Sequence, residues 1–214
     1  MISLTHMFSF SHHDAPTDTF WHRKFGPVFG GVAVFVLEVL QIVIVSAAII
    51  VPIRYFLIQP FYVKGASMEP NFYDREYLII DELSYRLREP VRGEIVVFRY
   101  PRDPSQFFIK RVIGLPGETV EVSGGQVMVF NEAEPNGAAL DERTYLGDVL
   151  TQGKRKVTLG SNEYYVLGDN RDESLDSRSF GAVTRSEIIG RVWVRGLPID
   201  RIGTFDTPAY LFSE

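Results

Sequence analysis

The chain reads as a mainly β protein, a set of antiparallel sheets or a barrel, preceded by one amino-terminal transmembrane helix. Three observations lead there. Short segments rich in β-branched and aromatic residues recur beyond residue 54 with turn residues between them. Ahead of them lies one long apolar run, residues 27–53. The 214 residues, 45% of them hydrophobic, suffice for one good core and one appendage.

Residues 1–26 form a polar leader, expected to lie in the cytoplasm. Residues 27–53 are almost entirely Val, Ile, Leu, Phe, Ala and Gly, interrupted by Glu38 and Gln41. About 20 such residues cross the hydrocarbon core of a bilayer, so the run is long enough to span it with tilt. The alternative, a buried helix of a soluble protein, is disfavoured because the run lacks a polar face. A cleaved signal peptide would suit Ser46-Ala47-Ala48, yet the leader is too long and the apolar stretch overshoots the usual ~7 to 15 residues. Arg23 and Lys24 precede the run closely, whereas only Arg54 and Lys64 follow it, which biases the amino end to the cytoplasm. Glu38 and Gln41 share a helical face, and a charge at mid-membrane costs on the order of 3 kcal/mol. Glu38 is therefore either protonated or turned to a partner.

Residues 54–214 form the expected extracytoplasmic β domain, with strands at 56–63, 77–81, 94–99, 107–113, 119–122, 126–130, 163–167 and 191–194. Pro116-Gly117 and Gly124-Gly125 mark turns. Residues 131–160 are polar, rich in glycine and charge, and weakly periodic, and read as a surface excursion from the β core.

The net charge of -5 is spread along the chain without a basic block, which argues against a nucleic-acid partner. There is no cysteine, and the four histidines, His6, His12, His13 and His22, all precede the apolar run. The body of the protein therefore lacks imidazole and thiolate, which excludes a Ser-His-Asp triad, a Cys-His pair and a His- or Cys-ligated metal site there.

Hydroxyls, carboxylates and amines remain. Ser67, in Lys64-Gly65-Ala66-Ser67-Met68-Glu69-Pro70, follows small residues that let a substrate backbone approach closely. It is either a turn serine bonding its own backbone or a nucleophile. Lys110 has Phe107, Ile109 and Val112 for neighbours and is either a strand lysine reaching solvent or a general base. The second role needs a neutral amine. Lowering its free pKa of about 10.4 by ~3 takes roughly 4 kcal/mol of desolvation. Within reach of Ser67, such an amine would take the hydroxyl proton during attack on a carbonyl and return it to the leaving amine.

The third cluster runs Gly168-Asp169-Asn170-Arg171-Asp172-Glu173-Ser174-Leu175-Asp176-Ser177-Arg178. Asp169, Asn170, Asp172 and Asp176 offer oxygen ligands to calcium, but the EF-hand spacing is missing and Arg171 stands in their midst. The alternative is a structural network in which Asp176 pairs with Arg178 or Arg111 and a serine hydroxyl bonds the lysine amine.

With these three clusters in this order behind an amino-terminal span, the chain closely resembles the bacterial type I signal peptidases, or leader peptidases. These are membrane-bound Ser/Lys endopeptidases that remove signal peptides from exported preproteins. The resemblance runs from about residue 54 to residue 205 and includes Arg191-Val192-Trp193-Val194-Arg195. It implies a signal-peptidase-like β fold, with Ser67 as nucleophile, Lys110 as general base and Ser174 as the hydroxyl that orients the lysine. Gly168 matches the small residue packed beside the amine, and Asp169, Arg111, Arg171, Asp176 and Arg178 match a supporting network. Gly65 stands where some members carry an oxyanion-hole serine, which implies a hole of backbone N–H groups at Gly65 and Ser67. Asn71 replaces the usual threonine, and Arg75-Glu76 replaces a Gly-Asp pair.

The resemblance also implies the substrate, an extended segment bound as an added strand with small residues, as in Ala-x-Ala, at the first and third positions before the cut. Phe61, Tyr62 and Met68 are candidates for contact with substrate or bilayer, with simple core packing as the alternative for each. It implies no cofactor and no metal, and as partners preprotein signal peptides, the lipid bilayer and the secretion translocon. The expected location is the plasma membrane, single-pass, with the catalytic domain outside. Two alternatives stand beside it. A self-cleaving repressor of the SOS type shares a related fold but carries a DNA-binding domain in place of a span. A specialised or silent paralogue would act as a membrane-anchored binding module, and its mark would be loss of a dyad residue.

Overall fold

The computed structural model describes residues 20–56, 58–208 and 210. His6, His12 and His13 of the leader lie outside them. The chain divides into two compact units after Val51.

The first unit is built on helix α1 (Phe20–Phe56). Its stretch Val34–Val51 has a mean hydropathy of 2.7, and the helix is long and apolar enough to cross a membrane. Every side chain from 35 to 51 is exposed, Glu38 and Gln41 among them. A helix apolar on all sides needs an apolar surrounding, which no protein core here supplies. The helix continues to Phe56, where the 56–63 strand was expected to begin. The sequence after Ile53 holds no helix stop before Pro60, so the helical pattern carries on.

The second unit is β. Its strands are β1 (Ile58–Tyr62), β2 (Tyr77–Asp81), β3 (Ile95–Tyr100), β4 (Asp103–Gly114), β5 (Thr119–Ser123), β6 (Gln126–Phe130), β7 (Ala138–Ala139), β8 (Arg155–Thr158), β9 (Glu163–Leu167), β10 (Val183–Thr184), β11 (Ile188–Leu197) and β12 (Gly203–Thr204). Three one-turn helices punctuate them, α2 (Ser84–Leu87), α3 (Arg143–Leu146) and α4 (Ser177–Phe180). An eight-stranded sheet has the order β1-β2-β11-β3-β4-β9-β10 with β12 beside β11, and a four-stranded sheet has the order β7-β6-β5-β8. The paired strands are antiparallel.

Alternation along β3 explains why the large sheet is covered on both faces. Ile95 and Val97 join Met68, Phe72, Leu78, Ile80 and Val192 in one core cluster, whereas Val96 and Phe98 join Val112, Tyr164, Val166 and Ile188 in another. The small sheet turns Val120, Val122, Val127 and Val129 inward against Ile113, Tyr165 and Leu167. Lys110 and Ser67 therefore sit on elements held by packed apolar surface.

Residues 131–160 are more than a surface excursion. β7 and β8 flank β6 and β5, and Ala138, Leu140, Leu146, Thr151 and Leu159 are buried. Their apolar anchors stand singly among polar residues, so no period announces them. The Arg75 substitution noted above has a backbone consequence. Arg75 adopts φ +69 in the turn before β2, a conformation natural to glycine and costly for a side chain.

Candidate active site

Ser67 lies on the turn between β1 and β2. Hydrogen bonds from Val63 N–H to Glu76 O at 2.9 Å and from Arg75 N–H to Val63 O at 3.0 Å close the base of that turn. Met68 is 1% exposed and packs with Phe72 and Leu78 in the core, so it anchors the turn from below rather than contacting substrate or bilayer. The core-packing alternative holds for Met68, because the turn points Ser67 outward and its neighbour inward.

Lys110 comes from β4, opposite Val96 of β3. It is 3% exposed, and its Nζ lies 2.6 Å from Ser67 Oγ and 2.7 Å from Ile109 O. Burial lowers its pKa from 10.5 to about 8, against the opposing charges of Asp176 and Asp169. The amine is thus neutral in about half the molecules at pH ~8.

The loop after β9 closes the site. Asn170 donates from its backbone N–H to Ser67 O at 3.1 Å and from Nδ2 to Ala66 O at 3.1 Å, which ties this loop to the Ser67 turn. A Cβ on Gly168 would stand 2.1 Å from Ser174 Oγ and 2.5 Å from Ser67 O, so the close approach requires glycine. Arg111 donates to both oxygens of Asp169, at 2.8 and 2.6 Å, and Asn71 Nδ2 donates to the same carboxylate at 2.8 Å. Arg178 donates to both oxygens of Asp176, at 2.9 and 2.8 Å. Of the two partners offered for Asp176, the structure selects Arg178, because Arg111 is engaged with Asp169. With both aspartates filled by guanidinium groups and Asp172 exposed, the calcium reading loses its ligands.

Two further expectations change. Ser174 Oγ is buried without a hydrogen-bond partner among the described residues, and the carbonyl of Ile109 takes the Lys110 N–H instead. Gly65 N–H donates to Asp74 Oδ1 at 2.8 Å and is not free to bind an oxyanion. Gly65 contributes open space, since nothing lies within 4 Å of its Cβ position at φ +91. The N–H of Ser67 itself has no acceptor among the described residues.

The dyad opens into a cleft of about 490 Å³ whose walls include Phe61, Tyr62, Val97, Phe107, Ile109 and Leu175. Sequence reasoning missed Glu142, whose carboxylate accepts hydrogen bonds from both Nη groups of Arg171, at 2.7 and 2.6 Å. It also left Asn71 as a departure without a role.

The family model described as Signal peptidase, peptidase S26 matches residues 36–196. The chain belongs to this signal peptidase family. It is 40% identical over 173 residues to the probable signal peptidase I-2 of Synechocystis sp., which covers 78% of this chain and 76% of that protein. It is 38% identical to the signal peptidase I of Leptolyngbya laminosa, with 80% and 85% covered. A crystal structure of a signal peptidase I from Enterococcus faecalis V583 covers 49% of this chain and 97% of its own at 32% identity, with a TM-score of 0.41. This signal peptidase is accordingly an enzyme, a serine endopeptidase, and the SOS-repressor alternative falls away.

Proposed function

We propose that this signal peptidase cleaves preproteins with the Ser67–Lys110 dyad while α1 anchors it in the bilayer. The observation that carries this reading is the 2.6 Å contact between Ser67 Oγ and a buried amine whose pKa has fallen to about 8. In the neutral form the Ser67 O–H donates to the Nζ lone pair, while an Nζ–H donates to Ile109 O and sets the direction of that lone pair.

Oγ attacks the scissile carbonyl carbon as the proton passes to Nζ, and the carbonyl oxygen becomes an oxyanion facing the Ser67 N–H. Collapse breaks the C–N bond, and the ammonium of Lys110 returns the proton to the leaving amine, the new amino terminus of the mature protein. Water then attacks the acyl-serine with the same amine as base, which frees the signal peptide carboxylate and restores Ser67. Base assistance of this kind contributes roughly 10²- to 10⁴-fold.

The cleft runs between the 61–66 and 106–110 segments, and the strand backbone of Phe61 and Tyr62 in β1 and of residues 106–110 in β4 is available to a substrate strand. Its aromatic and aliphatic lining suits the apolar end of a signal peptide with small residues at the first and third positions before the cut. Anchoring by α1, with the leader in the cytoplasm and residues 54–214 outside, places the cleft on the side where signal peptides emerge from the translocon. The silent-paralogue alternative loses support because both dyad residues are present and in contact. Purified protein in detergent, mixed with a labelled preprotein carrying Ala-x-Ala, is expected to release a fragment whose amino terminus follows the second alanine. No cleavage, or a cut elsewhere, overturns the reading.

A further inference from the structure

Glu142 lies outside the dyad and its immediate network, on the threshold of α3 in the segment that closes the small sheet. Its carboxylate meets Arg171 in a two-pronged pair, with the Arg171 side chain 0% exposed and that of Glu142 11%. Burial works against the Arg171 charge, and hydrogen bonds and charge from Glu142 outweigh it, so the guanidinium pKa is raised. Tyr145 OH donates to Glu142 Oε1 at 2.5 Å, and Tyr210 OH donates to Tyr145 at 3.0 Å. On the other side Arg171 Nε donates to Gly168 O at 3.0 Å, and Arg171 also bonds Thr151. The neighbouring Asn170 is the residue that holds the carbonyls of Ser67 and Ala66.

We propose that Glu142 is a positioning residue for peptide-bond cleavage: by fixing Arg171, it holds the 168–171 loop and hence the nucleophile turn in the place that sets Ser67 against Lys110. The role rests on the proposed Ser/Lys chemistry. Glu142 does not line the cleft, so it acts on the reacting geometry and not on substrate binding. A guanidinium buried without its carboxylate is strongly unfavourable, and the loop carrying it must shift toward water to relieve it. Displacement of a nucleophile by about 1 Å costs on the order of 10²-fold in rate.

The test is steady-state cleavage of a labelled preprotein by the full-length protein in detergent, with the melting temperature measured in parallel. Glu142→Gln is expected to lower kcat about 10- to 100-fold with KM within about twofold of wild type, while remaining folded at the assay temperature. A double-mutant cycle in kcat supplies the readout that a merely structural role would not move: Glu142→Gln combined with Arg171→Met is expected to be no slower than Arg171→Met alone. Wild-type kcat in Glu142→Gln, a loss carried by KM, or losses that multiply in the double variant would overturn the role. Should Glu142→Gln fail to fold, Glu142→Asp keeps the charge and shortens the reach; reduced kcat at near-normal KM supports the role, and an unchanged kcat refutes it. If the wild type itself cleaves nothing, the Ser/Lys reading fails and this role with it, whereas an active wild type beside an equally active Glu142→Gln removes only the latter.

Discussion

Lys110 carries a heavy physical demand, an amine buried to 3% exposure. The unfolded chain keeps its amine charged up to a pH of about 10.5, whereas the folded protein sheds the proton near 8. The folded state is therefore penalised at neutral pH, and the penalty disappears as the pH rises from about 8 to 10.5. That difference corresponds to ~3 kcal/mol on the charged form. Lys110→Met is expected to lose cleavage altogether, and its stability relative to wild type, followed by denaturant unfolding, is expected to fall by about 3 kcal/mol between pH 7 and pH 10.5. A constant difference across that range would mean that the amine is not desolvated. Ser67→Ala should also abolish cleavage while leaving the fold intact, and appreciable residual turnover would remove Ser67 from the mechanism. The pairing of Ser67 with Lys110 was legible in the sequence because the absence of histidine and cysteine beyond the span left few nucleophile and base types, and the two side chains are in contact. The Asp176–Arg178 pair was legible because its members are two residues apart. The unpartnered hydroxyl of Ser174 and the inward turn of Met68 were not, since both depend on side-chain direction in a turn, which residue spacing does not encode.

At the scale of elements, the strands at 77–81, 126–130 and 163–167 are found at the predicted limits, because each is a short run of β-formers bounded by turn residues. The 131–160 segment misleads for the opposite reason: single buried residues such as Leu146 and Leu159 give it no period, and Glu142 meets a partner 29 residues away. The turn before β2 offers a direct check on backbone strain. Arg75 holds φ +69 with its side chain exposed and only a 3.5 Å pairing to Asp74, so little side-chain interaction is at stake. Arg75→Gly is expected to stabilise the protein by roughly 0.5–1 kcal/mol, the left-handed penalty outweighing the added freedom of the unfolded chain. Unfolding curves that show destabilisation would contradict that account of the turn. Gly168 sets the reverse constraint between the β9 loop and the nucleophile turn. Gly168→Ala is expected to cost about 1–3 kcal/mol and to depress kcat, since the methyl group meets the Ser67 backbone carbonyl as well as the Ser174 side chain.

At the scale of the whole molecule there are two units: an apolar helix suited to lipid, and a β body whose packing buries the Lys110 amine. With both loop aspartates held by arginines, a chelator is expected to leave cleavage unchanged, and loss of activity in EDTA that returns with calcium would revive a metal role for residues 169–176. The central claim, however, is that burial in the packed β body brings the pKa of one amine, that of Lys110, down to about 8. Selective ¹³Cε labelling of the lysines, Lys24, Lys64, Lys110, Lys154 and Lys156, followed by NMR titration of the full chain in detergent, tests it most directly. The account predicts one resonance titrating near pH 8, absent in Lys110→Met, and matched by the rising limb of kcat/KM in the wild type. A Lys110 resonance that titrates at about 10.5, beside an enzyme fully active at pH 8, would contradict it.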